Sequence, residues 1–408
     1  MVAADIVWML VSSALVLLMT PALAFFYAGL VRSKNALNTM MMSLCSLGFA
    51  GVAWALLGYS LAFSDGNGVV GGLAHAGLMG VDLAAKGTIP HILFMAYQAT
   101  FAIITAALIS GAIVERMRFA PYLAFITVWT LLVYAPMVHQ VWGGGWLASF
   151  GTLDYAGGTV VHINAGAAAV VAAWWLGPRR DHGRKAMLPH HVPSTVLGAG
   201  LLWFGWFGFN AGSALAANNA AALAFVNTLL APMATLVVWT LVEVARTRRA
   251  TAVGAATAIV VGLVAITPAA GFVPPIAALA IGAIAALPSH FALVWRARSS
   301  FDDSLDVAAA HGLGGTVGAL LTGVFASKAW GAPVDGSLGQ VGIQAISIAY
   351  TLAWSGALSL GLLALIGKLT PLRASARDEA LGMDVSQHGE EAYTTGEGAI
   401  LVIEGSKS

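Results

Sequence analysis

The sequence has 408 residues, of which 59% are hydrophobic and only 9% charged, and its mean hydropathy is +0.84. A soluble domain carries roughly a quarter charged residues, so this composition excludes a soluble enzyme or binding domain and marks a polytopic membrane protein. The net charge of +1, from basic residues scattered over separate loops, gives no groove for nucleic acid.

Runs of about 20 apolar residues can cross a bilayer, and eleven follow one another along the chain. They cover 6–30, 38–63, 92–114, 119–138, 157–177, 193–212, 220–245, 251–268, 275–295, 305–326 and 341–367. The opening MVAADIVWML has no basic stretch, so the first run is expected to be a span and not a cleaved signal peptide. Cys45, the single cysteine, lies inside the second run and is expected to pack as a small core residue. It excludes a disulfide framework and a cysteine zinc site. Gly and Pro crowd both ends of the ninth run.

The loops carry the orientation. Of 19 Lys and Arg, 17 fall in alternate loops or after the last run, and only Lys86 and Lys328 fall on the other side. The positive-inside rule therefore predicts an outside N-terminus and a cytoplasmic C-terminus. Residues 1–368 form the expected transmembrane domain, and 369–408 read as a polar tail, partly ordered at best.

One pattern occurs twice. Asp154 is followed eight residues later by His162, and Asp303 eight later by His311; Gly166 and Gly315 stand four residues beyond the histidines. The first copy opens the fifth run, which enters from outside, and the second opens the tenth, which enters from inside. Copies of opposite orientation are the mark of five-helix halves related by inversion, with the eleventh span outside the repeat. Phe26-Tyr27-Ala28-Gly29 and Phe209-Asn210-Ala211-Gly212 echo one another in the first and sixth runs.

A single buried histidine is most simply a hydrogen-bonded core residue. A symmetric pair can also share or relay a proton, because imidazole donates at one nitrogen and accepts at the other. No carboxylate or lysine lies in the middle of any span, so a pathway built for a strongly charged cation is not expected. Neutral imidazoles suit a substrate that loses its charge on the way. Asp154, Asp303 and Asp306 read as caps of helix starts. Gly208/Gly212 and Gly314/Gly318 have the small-residue spacing of close helix packing.

Trp142, Phe101, Phe209 and Ser213 gather near outer span ends, with Trp206 one turn below Phe209 and Tyr97 and Gln98 one turn outward of Phe101. Their spacing fits two structures equally, an interfacial aromatic belt or a cation vestibule with π-faces and one hydroxyl acceptor. His182, His190 and His191 lie in a basic loop without metal-ligand spacing. The sequence contains no nucleotide-binding or hydrolase motif, and the spans hold no nucleophile, metal set or carboxylate dyad for an intramembrane enzyme.

Longer segments carry a resemblance. DYAGGTVVHINAG, FYAGLVRSKN, GLLWFGWFGFNAGSA, QATFAIITAALISGAIVERMRF and DDSLDVAAAHGLGGTVGALLTGVF, with GMDVSQHGEEAY in the tail, resemble the ammonium transporter family (Amt/Mep/Rh), on its Amt side. The resemblance covers essentially the whole chain. It implies an all-α membrane fold of eleven helices, a 5+5 inverted repeat plus one helix, assembled as a homotrimer with one pore per subunit in the cell (inner or plasma) membrane.

It also implies roles. Trp142 and Ser213 match the external ammonium site, with Phe101 lining it. Phe101 and Phe209 match the stacked gate, His162 and His311 the twin histidines of the pore, Asp154 a chiefly structural acid near the vestibule, and Trp206 and Tyr27 pore- or vestibule-lining positions. Tyr97 stands where relatives often have Phe, Tyr155 follows Asp154 where Phe is common, and Ala308-Ala309-Ala310 is a small run before His311. These departures would widen the lining slightly. The implied protein is no enzyme and has no cofactor. It conducts ammonia from captured ammonium, with methylammonium as analogue and with or without separate proton transfer, and a PII-type signalling protein acts on its cytoplasmic face. The alternative is an ammonium sensor with little flux.

Overall fold

The structure, a computed structural model, describes residues 1–393. Among them ten helices are long and apolar enough to cross a bilayer, and one further apolar helix is shorter. In chain order they are α1 Ala3–Leu30, α2 Ser33–Phe63, α3 His91–Ser110, α4 Phe119–Phe150, α5 Gly158–Leu176, α6 Val192–Gly212, α7 Asn219–Thr247, α8 Ala252–Ile266, α9 Pro275–Arg296, α10 Ala308–Phe325 and α11 Leu338–Leu369. Each coincides with one of the eleven apolar runs. The shorter one is α8, whose 15 residues rise about 22 Å. Pro268 lies two residues past its end and cannot continue the ladder; its carbonyl accepts the Tyr155 amide at 3.1 Å, where α5 begins.

The two halves meet reciprocally. Gly212, late in α6, lies against Ser12 early in α1, while Gly29, late in α1, lies against Thr195 early in α6. Between them, a β-carbon on Gly208 would stand 2.7 Å from Leu15 Cβ and Ser12 O, so the α1–α6 seam closes only because the residue is glycine. The second seam joins α5 to α10: Gly166 faces the Gly312 backbone, and Gly315 faces His162 Cβ. Gly318 of α10 closes on Ala265 of α8. Cys45 departs from the expected core position and is partly exposed on α2.

The face bearing the tail is held by charge. Glu115, between α3 and α4, pairs with Arg32 at 3.1 Å and Arg179 at 3.0 Å; Arg179 also pairs with Asp302 at 2.8 Å. Burial pushes both carboxyls up, but the guanidiniums outweigh it and hold Glu115 and Asp302 below their ordinary values. Asp306 does not cap α10 as expected. It has φ +61 and takes a two-pronged contact from Arg296 at 2.6 and 2.9 Å. Asp303 does the capping, accepting the Ala308 amide at 2.7 Å.

The described part of the tail is more ordered than its polarity suggests. It forms α12 Ala376–Leu381 and α13 Met383–His388. Asp384 accepts the amides of Leu37 and Asn38 at 3.0 and 2.8 Å, and Lys34 Nζ donates to the carbonyls of Glu379 and Ala380. Residues 394–408 of the expected tail, Lys407 included, lie outside the described residues.

Candidate functional site

On the face opposite the tail a cavity of about 350 Å³ opens among α2, α3, the α4 end and α6. Phe101, Trp142 and Ser213 line it, together with Phe63, Phe94, Gln98 and Tyr155, and none of its lining residues is charged. The Trp142 indole is fixed by its Nε1, which donates to the Asp154 carbonyl at 2.8 Å, and its ring meets Phe101 edge-on at 6.0 Å. Ser213 Oγ donates to the Phe209 carbonyl at 2.9 Å. Its proton is thus committed, and its lone pairs remain to accept from a guest. Tyr97 hydroxyl, 3.3 Å away, lies 3.0 Å from the carbonyls of both Gly208 and Phe209, to which it donates.

The cavity floor is a stack. Phe101 and Phe209 lie face to face with centroids 4.2 Å apart and planes 27° from parallel, both almost fully buried. Below them is an enclosed space of about 10 Å³, room for one water-sized sphere. Its walls are aliphatic and aromatic except for His162 and His311. His162 lies nearly parallel to Phe209 at 6.0 Å and to Trp206 at 5.4 Å. Trp206 is itself fixed by donation from Nε1 to Thr267 Oγ1 at 2.9 Å.

His162 and His311 meet through Nδ1 atoms 3.2 Å apart. In a neutral pair one Nδ1 must carry the proton and the other must accept it, so the two rings are opposite tautomers. One Nε2 is then a donor and the other an acceptor, and moving protons along the pair exchanges the roles. His162 Nε2 has no partner among the described residues. Both histidines sit in wide π-helical turns, Gly158–Ile163 and Ala308–Leu313, that open α5 and α10. Such single turns aim side chains differently from an α-helix, and the apolar pattern carries no signal for them.

Asp154 stands behind this arrangement. Its carboxylate accepts the amides of Gly157, Gly158, Thr159 and Val160 at 2.7–3.0 Å, all at the free N-terminal end of the turn carrying His162. Tyr27 lines neither of these two cavities: its hydroxyl donates to the carbonyl of Leu108, a wall residue of the small one, at 3.1 Å, and its neighbour Phe26 lines that cavity. Phe63 and Phe94 carry no signal in the sequence, being ordinary apolar residues of two spans that only the fold brings to one wall. Among the described residues no three His, Cys, Asp or Glu side chains group to hold a metal ion.

The profile of the Ammonium Transporter Family matches residues 7–393. The chain belongs to this family. It is 45% identical over 398 residues to the ammonium transporter of Bacillus subtilis, covering 95% of this chain and 98% of that one. Its fold superposes on the crystal structure of Candida albicans Mep2 with a TM-score of 0.89 at 38% identity, over 96% of this chain and 91% of the other. A structure titled Sensor Amt Protein gives a TM-score of 0.88 at 31% identity, over 94% and 98%.

Tyr97 lines neither cavity. Its ring packs edge-on against Phe101 at 5.0 Å, and its hydroxyl closes the end of α6. Tyr155 does reach the larger cavity.

Proposed function

We propose that this protein is an ammonium transporter of the cell (inner or plasma) membrane. Ammonium is captured between the Trp142 and Phe101 rings and donates to Ser213 Oγ. It gives up a proton there, because an unpaired charge is costly in an apolar bore. Ammonia passes the Phe101–Phe209 gate and moves along His162 and His311. The Nδ1–Nδ1 contact favours separate passage of the proton along the pair; a gas channel, with the proton left outside, would use the same gate without that step. The protein carries its substrate and is not an enzyme.

The observation that carries this reading is the column of rings from Trp142 to His311, in which neither cavity has an Asp, Glu, Lys or Arg in its lining. The distribution of Lys and Arg supports an outside N-terminus and a cytoplasmic tail. Residues 1–368 are the transport domain on this reading and 369–408 a regulatory tail, supported by its described part binding the start of α2 and the loop after α5. A homotrimer, and a PII-type signalling protein on the cytoplasmic face, complete the proposal through family membership.

The likeness to a protein titled as a sensor favours one alternative, an ammonium sensor with little flux. Labelled methylammonium uptake into proteoliposomes separates the two. Saturable uptake is expected; its absence from folded protein overturns transport in favour of sensing.

A further inference from the structure

Between α2 and α3 the chain folds into a two-stranded hairpin, β1 Ala85–Lys86 paired with β2 Ile89–Pro90. Gly87, with φ +67, makes the turn, and the Thr88 carbonyl accepts the Val2 amide at 2.9 Å, which ties the hairpin to the start of α1. This platform holds Lys86. Its Nζ stands 4.8 Å from the ring centre of Phe94, 5.6 Å from Phe63 and 5.8 Å from Tyr59. The three rings contact one another at 5.0–6.4 Å and form a cage. Its one hydrogen-bond partner among the described residues is the Tyr59 hydroxyl at 3.5 Å. Burial pushes the Lys86 ammonium below the ordinary lysine value, with no carboxylate beside it to offset the loss of water.

Phe63 and Phe94 serve two sites. They wall the Lys86 cage, and they line the larger cavity with Trp142, Phe101 and Ser213. A cation held by these rings draws on the same π-electron density that would stabilise a cation in the cavity. Its charge also repels such a guest across a low-dielectric wall.

We propose that Lys86 is a tethered cation that fills an aromatic cage beside the vestibule and weakens the capture of external ammonium there. The inference rests on the reading of the vestibule as a cation site. Lys86 touches neither the Phe101–Phe209 stack nor the histidines, so its effect falls on half-saturation and not on the maximal rate.

The test is the concentration dependence of methylammonium uptake into proteoliposomes, at low and high sodium chloride, for wild type, Lys86→Met, Lys86→Arg and Trp142→Leu. Lys86→Met is expected to lower half-saturation about three- to tenfold at low salt. The difference should shrink at high salt, where charges are screened, and Lys86→Arg should behave as wild type. Lys86→Gln repeats the neutralisation with a donor kept for Tyr59, in case the Met variant assembles poorly. Unchanged or raised half-saturation in both neutral variants, beside a clear rise in Trp142→Leu, overturns the role of Lys86 and leaves the vestibule reading standing. No rise in Trp142→Leu overturns the vestibule reading and this inference together.

Discussion

The Trp142 indole donates to the main-chain carbonyl of Asp154, whose own carboxylate binds the four amides that begin the turn carrying His162. One residue therefore sets the vestibule wall by its backbone and the histidine by its side chain. The two ends of the proposed pathway are linked through this single, nearly buried position.

Asp154→Asn keeps the size but turns one acceptor into a donor facing buried amides. Loss of the cap and of satisfied amides should cost about 2–4 kcal/mol, seen as a lower melting temperature of the detergent-solubilised protein. Uptake should fall with it, because Trp142 and His162 shift together. An unchanged melting curve contradicts this role.

Trp142→Leu removes a π-face and keeps an apolar wall. With a cation–π contact at about 0.5–2 kcal/mol, half-saturation should rise about two- to thirtyfold. Ser213→Ala, which removes one neutral acceptor, should raise it about two- to tenfold. Methylammonium uptake over a concentration series measures both.

Gly166→Ala places a β-carbon 2.7 Å from Gly312 N at the α5–α10 crossing. The helices must part, which should cost about 1–3 kcal/mol and stretch the His162–His311 contact. Thermal unfolding should show the first effect, and reduced ammonium-dependent current the second.

The charged cluster on the tail face gives an acid limit. The folded-state values of Glu115 and Asp302 lie below their ordinary 4.5 and 3.8. Their contribution is therefore fully present above those ordinary values and is lost as pH falls toward the depressed ones. Melting temperature should be flat near neutral pH and fall below about pH 4.5. Glu115→Gln should lose about 3–5 kcal/mol at neutral pH, by leaving Arg32 and Arg179 short of their partner, and should show a shallower acid limb.

Much of this was legible before the structure, and for physical reasons. Span positions follow from hydropathy alone. The inverted halves are readable because an Asp and a His recur with one spacing at opposite helix polarity, and Gly208/Gly212 because close packing demands small residues at that interval. What stayed hidden depends on distant partners. The π turns at His162 and His311 have no periodicity signature, and the Tyr97 hydroxyl is occupied only because the end of α6 lies beside it. Asp306 looks like a second cap until Arg296 is seen to claim it. The tail reads as solvated because its acceptors, such as Asp384, are satisfied by amides more than 300 residues away in sequence.

In the proposed mechanism ammonium is captured at Trp142, deprotonated, and passed as ammonia along a histidine pair that carries the proton separately. Uptake and current measured together on reconstituted protein test it most directly. Saturable methylammonium uptake with a current that scales with it is expected, and so is loss of that current in the His162→Ala/His311→Ala double variant. A robust ammonium-dependent current in that variant, with selectivity against potassium unchanged, would contradict it.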